Sequence, residues 1–545
     1  MPGHYYQNDF MNFRKSIVLS HLLLFGLQFC ISGQSSKNMY VKNSSLLKSK
    51  YLFNLADYGV VPDGKTLNTA AIQKALNAAS ESGATLLIPK GIYLTGTLFL
   101  KSNTHLELSA GAVLLGSPKI EDYTKLTWGH HEDRTPWHLL VADQAKNIRI
   151  SGLGCIDGNG HNFWQKERKH DWAFFREIEE RPSPMVEITN CENVVIENIT
   201  LKNPAGWCLH PFNSRNVKIT GITIANNLFG PNSDGIDIGG CQDVIVSNCN
   251  ISSGDDAIAL KTTEDSGPCE RITITNCILE TNCVAVRVGY ESRQDIRDIS
   301  ISNLIVKNCS RVVDIRSVEG AVIERIRISN VSGYTNSGWP VNRVIEVDLN
   351  EVPNAYPIEI KDHPNFGKPK PLLKKGAIRD ISLTDFDILT DGRIMMGAKD
   401  GMFLENIYLN NIHLRYAMID NCIALSKKAE GNGGFFSGSP DLRTAEAAFA
   451  IKNIKGFRLE NFRVSWPGYP VAENWNLLKT DWRNLEPEWY MGNESKIRSG
   501  EKKPVFKAFW AKNAKGGFVD LKLVQASEPG IEKSQLLDCD LKLEN

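Results

Sequence analysis

From Val194 onward, apolar residues fall at the first, third, sixth and eighth places of an eight-residue unit whose fifth place is usually asparagine. The copies are Val194-Val-Ile-Glu-Asn-Ile-Thr-Leu, Val217-Lys-Ile-Thr-Gly-Ile-Thr-Ile, Val244-Ile-Val-Ser-Asn-Cys-Asn-Ile, Ile272-Thr-Ile-Thr-Asn-Cys-Ile-Leu and Ile299-Ser-Ile-Ser-Asn-Leu-Ile-Val, with weaker ones from Ile326, Ile381, Ile407 and Phe457. Their starts lie 23, 27, 28, 27 and 27 residues apart as far as Ile326, a period in the solenoid range. The period-two alternation predicts short strands. Its change of register across the fifth place predicts a corner, since asparagine tolerates the left-handed backbone conformation that a corner needs. Asn198, Asn248, Asn276, Asn303 and Asn330 are therefore expected to bend one strand into the next and to stack into a hydrogen-bonded ladder. Two short strands, an asparagine corner and a longer loop per coil predict an all-β fold, a right-handed parallel β-helix of about ten or more coils. A leucine-rich repeat would need leucine at every third place and a helix in each coil, and the sequence offers neither.

The first half holds one convincing helix. Between Asn68 and Ser82, Ala71, Ile72, Ala75, Leu76 and Ala79 share a face, and Asn68 and Thr69 can cap the start. Such a helix can cover the open edge of the first coil, which would otherwise template aggregation. The β-helix is expected over residues 51–466, with insertions at about 123–184 and 333–375. The first insertion is dense in aromatics (Trp128, His130, His131, Trp137, Trp164, His170 and Trp172), which either wall a sugar site or pack a long loop onto the barrel. Residues 467–545, with Trp475, Trp482 and Trp489, read as a tail of unassigned role, packed on or following the β-helix.

Composition adds the compartment and excludes some partners. Arg14 and Lys15 precede an apolar run from Ser16 to Phe29 and small residues at Ser32 and Gly33, the order of a secretory signal over residues 1–33. An exported protein without membrane insertion is expected, because no segment has the uninterrupted apolar length of a span; Cys30 raises the question of lipidation. Removing residues 1–33 takes two basic residues and one acid from totals of 62 and 62. The near-zero net charge gives no reason to expect nucleic acid as a partner. Eleven cysteines then remain, without paired spacing, so neither a zinc site nor a disulfide scaffold is indicated; Cys249 and Cys277 read as small buried core residues. No metal or cofactor is called for, and a monomer is expected.

The stretch Gly230 to Lys261 changes the picture. It gathers Asp234, Asp237, Asp255 and Asp256 among glycines and alternating apolar residues. Each aspartate alone would be an ordinary turn residue. Asp234, however, precedes Asp255 and Asp256 by 21 and 22 residues, close to one repeat, and His210 lies 24 residues before Asp234. Residues one coil apart lie about 4.8 Å apart in a stacked sheet, so His210, Asp234 and the Asp255-Asp256 pair are expected to form one column. Carboxylates held together against their repulsion point to acid-base chemistry or cation binding.

Asn232-Ser-Asp-Gly-Ile-Asp and Gly254-Asp-Asp-Ala-Ile-Ala-Leu-Lys resemble the Asn-Thr-Asp-Gly and Gly-Asp-Asp motifs of glycoside hydrolase family 28, the polygalacturonases and their relatives. Asp57-Tyr-Gly, Pro62-Asp-Gly, Pro89-Lys-Gly-Ile-Tyr, Gly111-Ala-Val-Leu-Leu-Gly-Ser, Ile156-Asp-Gly-Asn-Gly and Trp207-Cys-Leu-His-Pro are similar to bacterial members, so the resemblance covers roughly residues 53–317. It implies a pectin-lyase-like solenoid that hydrolyses glycosidic bonds with inversion, with Asp255 as general acid, Asp234 and Asp256 as the base pair that activates water, and a polysaccharide or oligosaccharide as partner. An inverting site needs carboxyls roughly 6.5 to 9.5 Å apart, which stacking with a lateral offset can provide. His210, Asn232, Arg287 and Arg316 are the expected substrate contacts.

Two departures bear on the substrate. Aligned on Gly289, Val284 stands where the family has a histidine, and Asp314-Ile-Arg316 stands where it has Arg-Ile-Lys. An acid at 314 disfavours unmodified polygalacturonate. A neutral or mixed glycan is expected, or a uronate held by Arg287 or Arg316. A silent carbohydrate-binding protein and a polysaccharide lyase are the competing readings; the retention of all three acids favours hydrolysis.

Overall fold

Val194 pairs with Val217, and the line of in-register partners continues through Val244, Ile272, Ile299, Ile326, Ile381 and Ile407 to Phe457. The strong and the weak copies of the repeat therefore occupy one position in successive coils, and every one of these side chains is buried. The computed structural model describes residues 52–127, 134–168, 174–335, 343–351, 372, 374–390, 392–416, 441–442, 445–466 and 507–545. Among them the strands pair in parallel, each with the strand one coil away, and the apolar side chains turned inward form one continuous core along the axis. The chain is a right-handed parallel β-helix.

The asparagine corners are present. Asn198, Asn248, Asn276, Asn303 and Asn330 have φ of 59, 57, 57, 57 and 55°. The amides of Asn276, Asn303 and Asn330 donate to the side-chain oxygen of the asparagine one coil earlier, at 3.2, 3.0 and 2.7 Å. Gly221 takes the corner between Asn198 and Asn248 with φ 66°, so the ladder begins at Asn248. A second corner column, which the alternation does not signal, runs through Asn103, Asn147, Asn193 and Asn216 and continues with Asp243, Arg271, Asp298 and Arg325, all at positive φ. Asparagine amides link its first members at 2.9, 3.1 and 3.2 Å, and the Arg271–Asp243 and Arg325–Asp298 ion pairs carry it further.

The helix spans Thr69–Ser82 and buries Ile72, Ala75, Leu76 and Ala79 against the first coils. Asn68 stands at its start, yet its side chain makes no cap; it bridges Val61 and Thr66 and so fixes the preceding turn. Gly83 closes the helix in the left-handed conformation.

The coils continue beyond residue 466. The strand Lys507–Asp520 pairs with Ala447–Glu460 on one side and with Ser534–Leu537 and Asp540–Glu544 on the other. It turns Phe509, Ala511, Ala514 and Val519 into the core. Small inward alanines between lysines disguise this strand in the sequence. The expected insertions at 123–184 and 333–375 are too wide: Leu140–Asp143, Lys146–Gly152 and Cys155–Asp157 are coil strands paired on both sides, and Arg343–Leu349 pairs with Arg311–Ser317 and Arg393–Ala398, their short alternation hidden by the aromatic- and proline-rich stretches around them. Of the aromatics in the first insertion, Trp164 is buried, donates its indole N–H to the Ala205 carbonyl at 2.9 Å and stacks on Phe175; it packs the loop onto the barrel. Residues 1–33 with Cys30, and Trp128, His130, His131, His170, Trp172, Trp475, Trp482 and Trp489, lie outside the described residues. The ten described cysteines are free thiols, and Cys249 and Cys277 are core residues.

The ladder makes a measurable demand on its corners. Asn303→Ala should cost about 1–2 kcal/mol through left-handed backbone strain, plus roughly 0.5 kcal/mol for two solvent-facing hydrogen bonds. Asn303→Gly should lose only the hydrogen bonds and a little chain entropy. Thermal unfolding of the two variants tests this, and equal Tm values would show that the corner carries no strain.

Candidate active site

One face of the β-helix is built from Val186–Thr189, Leu209–Phe212, Ile236–Gly239, Ile258–Thr262, Val284–Ser292, Arg311–Ser317 and Arg343–Leu349. Their inward residues, such as Ile236, Ile258, Val286 and Val313, belong to the core. Their outward residues fall into three columns. The first runs Trp207, Asp234, Asp256, Val284, Arg311, Arg343, as the Cys208 N–H to Asp234, Gly235 N–H to Asp256 and Ala257 N–H to Val284 bonds and the pairings beyond them establish. The second runs Glu187, His210, Asp237, Ala259, Arg287, Asp314, Glu346. The third holds Gly239, Lys261, Arg316 and Asp348.

This corrects the expected column. Asp234 does sit beside the Asp255-Asp256 pair, but His210 belongs to the neighbouring column and aligns with Asp237. The coil from His210 to Asp237 is 27 residues long and that from Asp234 to Asp256 only 22, so a fixed count drifts across the sheet. His210 is buried; its Nδ1 is 2.8 Å from Glu187, whose other oxygen accepts from Arg134 at 2.7 Å.

The acids are positioned by their own turns. Asn232 precedes Asp234 in a left-handed conformation, φ 43°. Asn226 donates to the carbonyls of Ser233 and Asp234 at 3.1 and 3.0 Å. The Ser233 hydroxyl accepts from the Gly254 N–H at 3.1 Å and donates to the Gly230 carbonyl at 2.9 Å, tying the two motifs together. Gly235 is required by close approach, since a Cβ there would lie 2.4 Å from the Ala257 carbonyl oxygen. Ser253 and Thr281 donate to the Asp255 carbonyl, and the Asp256 N–H donates to Oδ1 of Asp255 at 2.9 Å.

Cations bind the acids from both sides. Lys261 reaches Asp234 at 3.2 Å and Asp237 at 3.0 Å while its ammonium lies over the Trp207 ring. Arg287 grips Asp256 through Nε and Nη2 and reaches Asp314 at 2.9 Å through Nη1. Arg316 joins Asp314 at 2.7 Å and Glu346 at 3.1 Å, and Arg311 joins Glu346 at 3.0 Å. Burial, then the negative charge of Asp256, pushes Asp255 up to about 6, although part of its surface stays open to solvent. Burial raises Asp237 to about 7, and burial with the charge of Asp237 raises Asp234 well above the ordinary carboxylate range. Burial opposes ionisation of Asp314 and Glu346 too, but the surrounding guanidiniums outweigh it and hold both below the usual carboxylate range. Oδ1 of Asp234 is buried and accepts no hydrogen bond from the described residues.

Of the expected site residues, the structure gathers Asp234, Asp255, Asp256 and Arg287 around one spot. Arg316 lies on this face but is buried beneath its ion pairs, and Val284 is fully covered above Asp256. Lys261, Glu187, Arg311, Glu346 and Cys283 went unassigned in the sequence. Only Lys261 carried a signal, as the outward residue that ends the Gly254-Asp-Asp run. Cys283 approaches both acids: one ligand atom from each of Asp255, Asp256 and Cys283 lies within 4.8 Å of the others. That trio could ligate a cation, in competition with Arg287 for Asp256.

A right-handed parallel β-helix that carries carboxylates on the outward face of one sheet defines a pectin-lyase-like solenoid. It superposes on the Yersinia enterocolitica family 28 exopolygalacturonase with a TM-score of 0.59 at 20% identity, covering 85% of this chain and 78% of that one. For the hyperthermoactive exopolygalacturonase of Thermotoga maritima the TM-score is 0.55 at 20% identity, over 67% and 87%. Residues 81–361 match the model of Glycosyl hydrolases family 28, and the chain belongs to that family. It is 31% identical to a probable polygalacturonase of Vitis vinifera over 56% of its own length and 66% of the relative's. It is 27% identical to the exo-poly-alpha-D-galacturonosidase of Dickeya chrysanthemi, over 55% and 60%. The chain thus spans less than two thirds of the length of each of these relatives.

The environment of Asp255 sets a pH dependence of stability. A carboxyl whose folded-state pKa is raised from 3.8 to about 6 stabilises the fold fully below about 3.8, and this contribution is lost as pH rises through about 6. Asp255→Asn should remove that slope and melt a few degrees above wild type at neutral pH. Tm measured across this window in both proteins tests it; parallel curves would contradict the raised pKa.

Proposed function

We propose that the protein hydrolyses O-glycosidic bonds of a pectin-like polysaccharide with inversion at the anomeric carbon. The observation that carries this reading is the contrast within the Asp255-Asp256 pair: Asp256 is gripped by Arg287, whereas Asp255 is pushed up to about 6 and keeps an open surface. Two carboxyls in such unlike surroundings suit an acid and a base. Asp255 protonates the leaving oxygen. Asp256 and Asp234 hold the attacking water between them: Asp256 takes its proton, and Asp234, held toward its protonated form by burial and Asp237, positions it through the Oδ1 that accepts no hydrogen bond from the described residues. Lys261 and Arg287 keep the acids apart and aimed. His210, fixed by Glu187, and Asn232 are assigned to substrate contact. Family membership supports a glycosidase, and the charged, apolar, small-residue order of residues 1–33 supports an exported one.

Reducing-sugar release across plant and algal polysaccharides, with the ultraviolet absorbance of unsaturated uronate followed in parallel, separates hydrolysis from lyase chemistry. Asp255→Asn should lower kcat by about 10²–10⁴-fold, more than Asp234→Asn or Asp256→Asn, because two carboxylates partly cover for each other but the leaving oxygen has one proton donor. Near-wild-type turnover in Asp255→Asn would refute the mechanism. Sugar binding without turnover in either protein would favour a binding protein.

The same assignment fixes the pH profile. Wild-type kcat should fall as pH rises through about 6, where Asp255 loses its proton. A profile flat from about pH 5 to 8 would take Asp255 out of the acid role.

A further inference from the structure

The charges beside Asp255 carry information about the sugar that binds there. Three guanidiniums, Arg287, Arg311 and Arg316, face that position from the two coils beyond the acids, and each is engaged by protein carboxylates: Asp256, Asp314 and Glu346. Asp314 is central. It is wholly buried, takes Arg316 on one oxygen and Arg287 on the other, and lies 3.6 Å from Arg311. These three positive and three negative charges cancel. On the other side Lys261 stands against two carboxylates, Asp234 and Asp237. Each of these four cations is thus engaged by at least one buried acid.

A uronate carboxylate arriving here would have to draw a guanidinium away from a buried carboxylate and leave that group unpaired, the costliest way to break a buried pair, or else remain beside Asp256 and Asp314 as a third like charge. A hydroxyl-bearing sugar meets neither difficulty, since guanidinium N–H groups and carboxylate oxygens accept neutral hydrogen-bond partners without loss of their own pairing.

We propose that at least one of the two sugars joined by the cleaved bond is neutral, that Asp314 and Glu346 are the residues that impose this by neutralising Arg287, Arg311 and Arg316, and that a homopolymer of galacturonate is a poor substrate. This rests on the hydrolase reading above and narrows its substrate class.

The test uses the full chain and a panel of polygalacturonate, carboxyl-reduced polygalacturonate, neutral pectic side-chain glycans and glycans that alternate uronate with neutral sugar. The expected result is Asp255-dependent cleavage of a neutral or alternating glycan with kcat/KM at least about tenfold above that on polygalacturonate. If polygalacturonate is the best substrate and Asp255→Asn abolishes its cleavage, the hydrolase reading stands and this inference is overturned. If nothing on the panel is cleaved, the hydrolase reading fails and the inference falls with it. Asp314→Asn should narrow the ratio of kcat/KM between the neutral or alternating glycan and polygalacturonate about tenfold or more; an unchanged ratio in a variant that keeps its Tm overturns the role of Asp314. Should that variant not fold, Glu346→Gln, which loosens Arg311 and Arg316 from the other side, is read in the same way.

Discussion

Parallel stacking of strands about 4.8 Å apart is the constraint on which the rest depends, because it places the same position of every coil directly over the next. Inward, this is favourable: the line from Val194 to Phe457 is apolar at every step and the core is continuous along the axis. Outward, it turns any repeated charge into a column of like charges at short range, and the fold has to offset that. On the site face like charges do succeed each other within columns, as at Asp314 and Glu346, and pairing with cations of neighbouring columns and coils offsets them, so that Asp256, Arg287, Asp314, Arg316 and Glu346 form a chain in which each charge touches its opposite. Removing one partner from such a buried chain leaves an uncompensated charge, at a cost of about 3–5 kcal/mol. The acids are therefore held where function needs them by cations that lie one coil away.

The corners solve the same stacking problem for the backbone. Each turn of the coil needs a left-handed residue, and a column of asparagines meets that need while its amides bond to one another. The second corner shows that asparagine is one solution among several. Arg271 and Arg325 adopt φ of 56 and 54°, a conformation uncommon for such residues, and each reaches back to an aspartate at the same corner one coil earlier. An ion pair along the column replaces the amide ladder.

These differences explain how far the sequence could be read. The repeat, the asparagine corner and the capping helix were legible because each is local: an eight-residue alternation, a residue type with an unusual backbone preference, a helical face. The acid motifs were legible because Asn232-Ser-Asp-Gly and Gly254-Asp-Asp are compact. The alignment of His210 was misread because lateral position depends on loop lengths, which vary between coils by several residues. Arg311, Glu346 and Glu187 were invisible because their partners lie one or more coils away, and no spacing rule survives the insertions. The last coils were missed since Ala511 and Ala514 fill the core between lysines that dilute the pattern.

The balance of charges also bears on why Asp255, the partly exposed member of the acid pair, can hold a proton toward neutral pH. Asp256 is its immediate neighbour, held by the two-nitrogen grip of Arg287, and the negative charge of Asp256 opposes ionisation of Asp255. Arg287 can do this only if it is itself held, and Asp314, lodged between Arg287 and Arg316, holds it. The acid at 314 thus has two consequences from a single set of contacts: it orients the guanidinium that differentiates the paired aspartates, and it withdraws that guanidinium from any anionic sugar.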